Sequence, residues 1–99
     1  MSKGWSEPGA MDTAPRRLVL SYRFRRQWNR LAPETQVVVG KTLTKLRRGA
    51  CRMKALSAYP GLYEIRISSR LRLIVEQPFA DAGLIVRAIG DHGPILRRP

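Results

Sequence analysis

The stretch LYEIRISSRLRLIV, Leu62 to Val75, reads as two short strands joined by a polar turn. Apolar side chains alternate with polar ones in both halves, which is typical of strands with one buried face. Both apolar sets share a face only if Tyr63 pairs with Val75 and Ile65 with Leu73, around a short turn at residues 68–70. A register shifted by one residue would expose one apolar set to water. The stretch therefore predicts a β-hairpin of defined register.

This register places Arg66 directly opposite Arg72 on the second face of the hairpin, with Glu64 diagonal to Arg72. Like charges that face each other across a strand pair cost roughly 0.2–1 kcal/mol, so stability alone does not select them. An anion bound between the two guanidinium groups would offset that cost, because each presents a planar fork of donors that suits phosphate. The alternative is that both arginines are solvated surface residues neutralised by Glu64 and Glu76.

The charge of the chain indicates which partners it can have. The 99 residues suffice for one domain, and they carry a formal net charge of +12. Arginine makes the excess, since the lysines are only Lys3, Lys41, Lys45 and Lys54. An arginine excess favours phosphate and carboxylate recognition, so we expect nucleic acid, an acidic protein, or both as partners.

Membrane association and metal binding are not expected from the sequence. No apolar run approaches the roughly 18 residues of a spanning helix, and the first residues lack the apolar core of a signal peptide. We therefore expect a cytoplasmic protein. One cysteine and one histidine have no spacing typical of a zinc site, so we expect neither a disulfide, a metal nor another cofactor.

The order of the elements predicts the fold class. Residues 1–15 lack a periodic apolar pattern and are interpreted as a disordered lead-in, with Met11 an alternative start to Met1; residues 16–99 would form a single domain. The patterns predict a strand, two helices and three strands, at Arg17 to Phe24, Arg25 to Leu31, Pro33 to Arg48, the two halves of the hairpin, and Leu84 to Ile89. This is an α+β fold of order β-α-α-β-β-β, with two N-terminal helices packed on one face of a small antiparallel sheet and the other face open.

The open face is where the chemistry is expected. Arg66, Arg72 and Arg87 would lie on it, with Asp91 and His92 at the end of the last strand. Arginines can stabilise charge on a phosphodiester, and histidine exchanges protons near neutral pH, with Asp91 able to orient it. The alternative is that His92, a lone histidine at a strand end, is structural.

Cys51 is a separate candidate. Basic neighbours surround it in the sequence and would lower the pKa of its thiol, which favours a thiolate nucleophile; they are Arg47, Arg48, Arg52 and Lys54. The alternative is a small buried thiol without chemistry.

Three motifs in this order resemble a known family. They are the segment Gly61 to Ile67, the strand Arg72 to Val75 after a polar turn, and the closing Ala88-Ile89-Gly90-Asp91-His92. Together they look like the RelE/ParE superfamily of toxins from type II toxin–antitoxin systems, and the resemblance covers about Leu18 to His92.

The resemblance implies a toxin that is neutralised by a cognate antitoxin. RelE-like members cleave mRNA, many of them on the ribosome, by activating a ribose 2′-hydroxyl to attack the adjacent phosphate without a metal. By position, Arg66 matches a basic residue that contacts RNA, Arg72 the arginine that stabilises the scissile phosphate, and His92 the late position used in proton transfer. Arg87 and Lys54 would add phosphate contacts. Because the late tyrosine of some members is missing here, Asp91 or Glu64 would support His92.

Two other functions remain open at this stage. A ParE-like inhibitor binds DNA gyrase and needs no residue for proton transfer, so His92→Ala would leave its toxicity intact. An inactive basic module of the same fold would bind nucleic acid with strong salt dependence and cleave nothing. We expect an endoribonuclease that inhibits translation, an mRNA interferase, as the leading interpretation.

Overall fold

The computed structural model describes residues 16–78 and 83–99. The predicted disordered lead-in, residues 1–15, lies outside them, and the domain boundary at residue 16 stays a prediction. The elements in chain order are β1 (Leu18–Leu20), α1 (Tyr22–Asn29), α2 (Pro33–Arg47), β2 (Lys54–Ala55), β3 (Leu62–Arg66), β4 (Leu71–Glu76), β5 (Leu84–Asp91) and α3 (His92–Arg97). The α+β class and the predicted order are confirmed, and β2 and α3 are added to it.

The sheet has five strands in the order β1-β5-β4-β3-β2. The sheet is antiparallel as predicted except at one edge, where β1 runs parallel to β5, with Leu18 beside Leu84. The other neighbours are antiparallel. Side-chain alternation reports which face of a strand is buried and carries no information on strand direction, so the sequence pattern could not reveal the parallel pair.

The boundary between β1 and α1 also differs from the prediction. The alternation continues to Phe24, but the strand ends at Leu20 and Ser21 caps a helix. The Ser21 hydroxyl accepts a hydrogen bond from the Phe24 amide at 3.0 Å and donates one to the Arg87 carbonyl at 2.8 Å. A serine cap that satisfies a free amide of the first turn overrides a two-residue apolar period. Phe24 therefore reaches the core from a helix.

Helix α2 begins and ends as the sequence predicts. Pro33 occupies the first turn with Glu34 behind it, and Gly49 follows the helix with a φ of 72°. A left-handed residue there suits glycine, which has no Cβ to clash with the backbone. Val39 and Leu46 are fully buried against the sheet. Packing therefore holds a segment whose valines and glycine favour helix only weakly.

The hairpin has the predicted register. Tyr63 lies opposite Val75, Ile65 opposite Leu73, and Arg66 opposite Arg72. Its first face joins the main core under α1 and α2, where buried side chains from the helices and strands meet: Phe24, Val39, Leu46, Ile65, Leu73, Val75, Leu84, Val86 and Ile89.

The second face of the sheet was expected to be open, but the structure shows that it is partly covered. Helix α3 folds back and packs Ile95 on Ile74 and Ala88, all three almost completely buried. Gly90 permits this approach, because a Cβ there would lie 3.3 Å from Ile95 Cδ1. Since α3 covers the middle of the face, the two ends of the face form separate surfaces. Within the described chain, no helix has the length and apolarity needed to cross a membrane.

Candidate active site

A groove of about 1030 Å³ lies at the edge of the sheet that β2 forms. One face of α2 forms one wall, and β3 with the segment before it forms the other. The groove gathers six cationic side chains and the single histidine: Lys41, Lys45, Arg52, Lys54, Arg66, Arg72 and His92. Five residues predicted for the site are thus brought together by the fold: Lys54, Glu64, Arg66, Arg72 and His92.

Arg72 is held by Glu64. Arg72 Nε donates to Glu64 Oε2 at 2.8 Å, and the two side chains are only 10% and 9% exposed. This pair changes the interpretation of the hairpin, because the like charges at Arg66 and Arg72 are compensated by a buried carboxylate. A symmetric clamp of two free guanidinium groups is not what the structure contains.

The rest of the Arg72 guanidinium fixes the hairpin turn. Nη1 donates to the Ser68 carbonyl at 2.7 Å and to the Ser69 carbonyl at 3.3 Å. Among described residues, no hydrogen bond uses Nη2. Arg72 is therefore a pre-positioned cation with one donor group left for a ligand.

Arg66 is the accessible member of the pair. It lies directly opposite Arg72 but is exposed, and it forms none of the ion pairs found between described residues. Lys54 lies opposite Glu64 on the other side of β3 and is also exposed. Two exposed cations thus flank one cation that is held in place.

His92 stands at the start of α3, beside the buried pair. Its backbone amide donates to the Arg70 carbonyl at 2.7 Å, which ties the histidine to the hairpin turn. Its Nδ1 lies 3.6 Å from Glu64 Oε2, and its side chain is 54% exposed. The Glu64 carboxylate therefore lies beside both Arg72 and His92. The second nitrogen of the His92 ring, Nε2, would be the one to contact a substrate.

Asp91 was expected to orient His92, but its carboxylate lies elsewhere. Its carboxylate lies 3.6 Å from Arg70 Nη2, on the exposed side of the turn. Neighbouring residues at the end of a strand point in different directions, so Asp91 is not the partner of His92. Glu64, eight residues before Arg72 in sequence, takes that place.

The comparisons with known proteins concern the fold of the chain. No protein-family model matches the sequence, and no curated protein matches it. Solved structures do match: the E. coli RelBE toxin–antitoxin complex has a chain with a TM-score of 0.60 and 22% identity, covering 76% of this chain and 94% of that one. The E. coli DinJ-YafQ toxin–antitoxin complex gives 0.65 and 15%, covering 82% and 97%. The YoeB dimer from Staphylococcus aureus gives 0.63 and 16%, covering 80% and 99%.

The chain has the RelE-type toxin fold. At these identities the likeness establishes the fold.

Arg87 lies outside the groove of this RelE-type fold. Its Nη1 donates to Glu76 Oε1 at 2.8 Å and its Nε donates to the Pro99 carbonyl at 3.2 Å. It lines a smaller depression with Arg23 and Arg97, on the far side of α3. The expectation that Arg87 shares one open face with Arg66 and Arg72 is wrong in position, because α3 covers the sheet between them.

Cys51 lines the groove but is not an activated thiol. Burial raises the pKa of the Cys51 thiol above its ordinary value, and the charge of Lys45 only partly opposes this. Its Sγ lies 3.5 Å from the Thr42 carbonyl, as a donor to a helix. The basic residues that are near in sequence do not outweigh desolvation, so the expected lowering of the pKa is wrong and the alternative of a small thiol without chemistry is favoured.

The α2 wall contains the site residues that sequence reasoning did not assign to RNA. Val38, Lys41, Thr42 and Lys45 follow the i, i+3, i+4, i+7 spacing of one helix face, and all four line the groove. That spacing was the available signal. In the described ranges, no three His, Cys, Asp or Glu side chains come together as a metal site.

Proposed function

We propose that this protein is the toxin of a type II toxin–antitoxin system and acts as an mRNA interferase. The observation that carries the proposal is the groove, in which one buried carboxylate holds an arginine and faces a histidine while further cations surround them. The RelE-type toxin fold supports the same conclusion.

The cations of the groove would bind the phosphodiester. Arg66 and Lys54 are exposed and would contact the flanking phosphates, and Arg72 would offer Nη2 to a non-bridging oxygen of the scissile phosphate. Because Arg72 is already fixed by Glu64 and by the turn, it would need little reorganisation as charge develops on that oxygen.

His92 would move the protons. With Nδ1 beside Glu64, the ring would present Nε2 to the ribose, take the proton of the 2′-hydroxyl and return a proton to the departing 5′-oxygen. The 2′-oxygen forms the new bond to phosphorus as the bond to the 5′-oxygen breaks, which leaves a 2′,3′-cyclic phosphate. Arginines and a histidine supply both kinds of catalysis, so the proposed reaction uses no metal ion.

A cognate antitoxin would be the second partner. The chains matched in E. coli belong to toxin–antitoxin complexes. With a net charge of +12 and lysines along one wall of the groove, this chain suits an acidic antitoxin segment that covers Lys41 and Lys45.

Induced expression with mapping of mRNA ends tests the proposal. Wild type should arrest growth and create new mRNA ends, His92→Ala should do neither, and Arg66→Ala should weaken both. Arg48→Ala is the matched control, since it removes an exposed arginine outside the groove. Growth arrest by His92→Ala without new ends would overturn the ribonuclease and favour a ParE-like gyrase inhibitor. Repeating the cleavage with purified mRNA, with and without ribosomes, determines whether the ribosome is required.

A further inference from the structure

A second cationic surface lies away from the groove, on the outward side of α1. Arg23 and Arg26 of α1 and its C-cap residue, Arg30, follow one another at three- and four-residue spacing, and all are exposed. The Arg23 guanidinium donates to the carbonyls of Arg98 and Pro99, which brings the exposed Arg97 and Arg98 beside it. We call these five arginines the arginine surface.

No acidic side chain forms an ion pair with the arginine surface in the described part of the chain. The ion pairs there involve Arg70, Arg72, Arg87 and His92, and none involves the arginine surface. The first turn of α1, where an acid would be favoured, contains none. In the groove, by contrast, Glu64 compensates Arg72. Like charges at this spacing destabilise a helix, so they indicate a partner that is negatively charged.

The residue types favour the phosphates of RNA as that partner. The guanidinium groups suit phosphate and carboxylate alike, so the neighbouring aromatic side chain is what favours RNA over an acidic protein. Beside the arginine surface, Tyr22 is 71% exposed, with the Arg26 guanidinium carbon 5.8 Å from the centre of its ring. An exposed aromatic ring next to a guanidinium offers a platform on which a base can stack.

The arginine surface and the groove belong to different ends of the sheet. Helix α1 packs against β5, whereas the groove is formed by α2 and β3. The groove and the depression lined by Arg23, Arg97 and Arg98 have no lining residue in common. A single short strand of RNA that fills the groove would not cover the arginine surface as well.

From this placement we propose that the arginine surface is a second RNA-binding site, which engages the phosphate backbone of a folded RNA while the groove holds the strand to be cut. The inference rests on the proposed function, because it names the kind of RNA that the same toxin would act on. The substrate would then be a single strand presented within, or next to, structured RNA.

Equilibrium binding to two RNAs tests the inference. The probes are a short single strand and a longer hairpin RNA with a single-stranded tail, both 2′-O-methylated so that neither can be cleaved through its 2′-hydroxyl. The Arg26→Gln/Arg30→Gln double variant should bind the hairpin RNA more weakly and lower the slope of log Kd against log salt by about 1.4–1.8, because each lost phosphate contact contributes about 0.7–0.9. Its affinity for the short strand should be unchanged.

The control is Arg17→Gln/Arg48→Gln, which removes the same charge from exposed positions outside both surfaces. An equal loss in the control, or an equal loss on the short strand, would overturn the inference, since either would be a general charge effect. Unchanged binding of hairpin RNA together with weaker binding of polyglutamate would assign the surface to an acidic protein and also overturn it. If wild type cuts no unmodified RNA while the selective loss of hairpin binding is observed, the proposed function fails and the second RNA site stands.

Discussion

Replacing Glu64 by glutamine should be the most destabilising change of a single charge in this protein. The substitution keeps the shape of the side chain and removes the charge that faces both Arg72 and His92. Removing one partner of a buried ion pair costs about 3–5 kcal/mol, because the other charge is left desolvated. Arg72 keeps its carbonyl acceptors in the turn, so we place the loss at the lower end, about 3 kcal/mol.

A loss of this size is readily measured by thermal unfolding. For a domain of this length, 1 kcal/mol shifts the Tm by about 4–8 °C, so Glu64→Gln should lower it by about 12–24 °C. The matched control is Glu76→Gln, whose carboxylate also meets an arginine at 2.8 Å but with side chains 31–39% exposed. A partly exposed pair contributes about 0–1 kcal/mol, so the control should lower the Tm by about 8 °C at most.

The double variant Glu64→Gln/Arg72→Met separates charge burial from packing. If the buried charge causes the loss, removing Arg72 as well should recover part of the Tm. Equal Tm values for Glu64→Gln and Glu76→Gln would refute the reasoning, because burial would then make no difference to the two pairs.

Three further predictions concern stability and the thiol. Burial raises the pKa of the Cys51 thiol, so the thiol is harder to ionise in the folded state than in the unfolded state. The free energy of unfolding should therefore be constant below pH 9.0, the ordinary pKa, and fall as the pH rises above it. Measuring the free energy of unfolding of wild type and Cys51→Ser across that range checks this, because the variant should lack the fall. Gly83→Ala should lower the Tm, since a Cβ there would lie 2.8 Å from Arg17 Cβ and meet the Arg17 backbone, so that β1 must shift; unchanged strand content and Tm would contradict this. Ile95→Ala should cost about 2–5 kcal/mol by chemical denaturation, because Ile95 is the buried side chain that fixes α3 on the sheet.

The hairpin could be predicted because its strands and turn are specified by residues that are close together in the sequence. A two-residue period and a polar turn allow one register that buries both apolar sets, and Arg66 opposite Arg72 follows from it. The contacts of Glu64 could not be predicted as firmly. A carboxylate diagonal to Arg72 across the strand pair can face solvent or turn towards either arginine. Only burial beneath the groove makes it the common partner of Arg72 and His92.

The errors arose where tertiary contacts decide the structure. The apolar pattern around Ile95 is too short to predict a helix. In the structure α3 nevertheless packs on Ile74, and because it covers the middle of the sheet face, Arg87 lies on a separate surface. Likewise the pKa of Cys51 depends on burial beside α2, which the basic residues around it in the sequence do not report.

The chemistry of the cut ends tests the central claim most directly. Purified wild type should convert unmodified RNA into fragments that end in a 2′,3′-cyclic phosphate and begin with a 5′-hydroxyl, and a single 2′-deoxy substitution at the cut site should block cleavage there. His92→Ala should produce no such ends, while Arg48→Ala should produce them at the wild-type rate. Fragments with a 3′-hydroxyl and a 5′-phosphate, or cleavage that survives the 2′-deoxy substitution, would contradict attack by the ribose 2′-oxygen and the role assigned to His92.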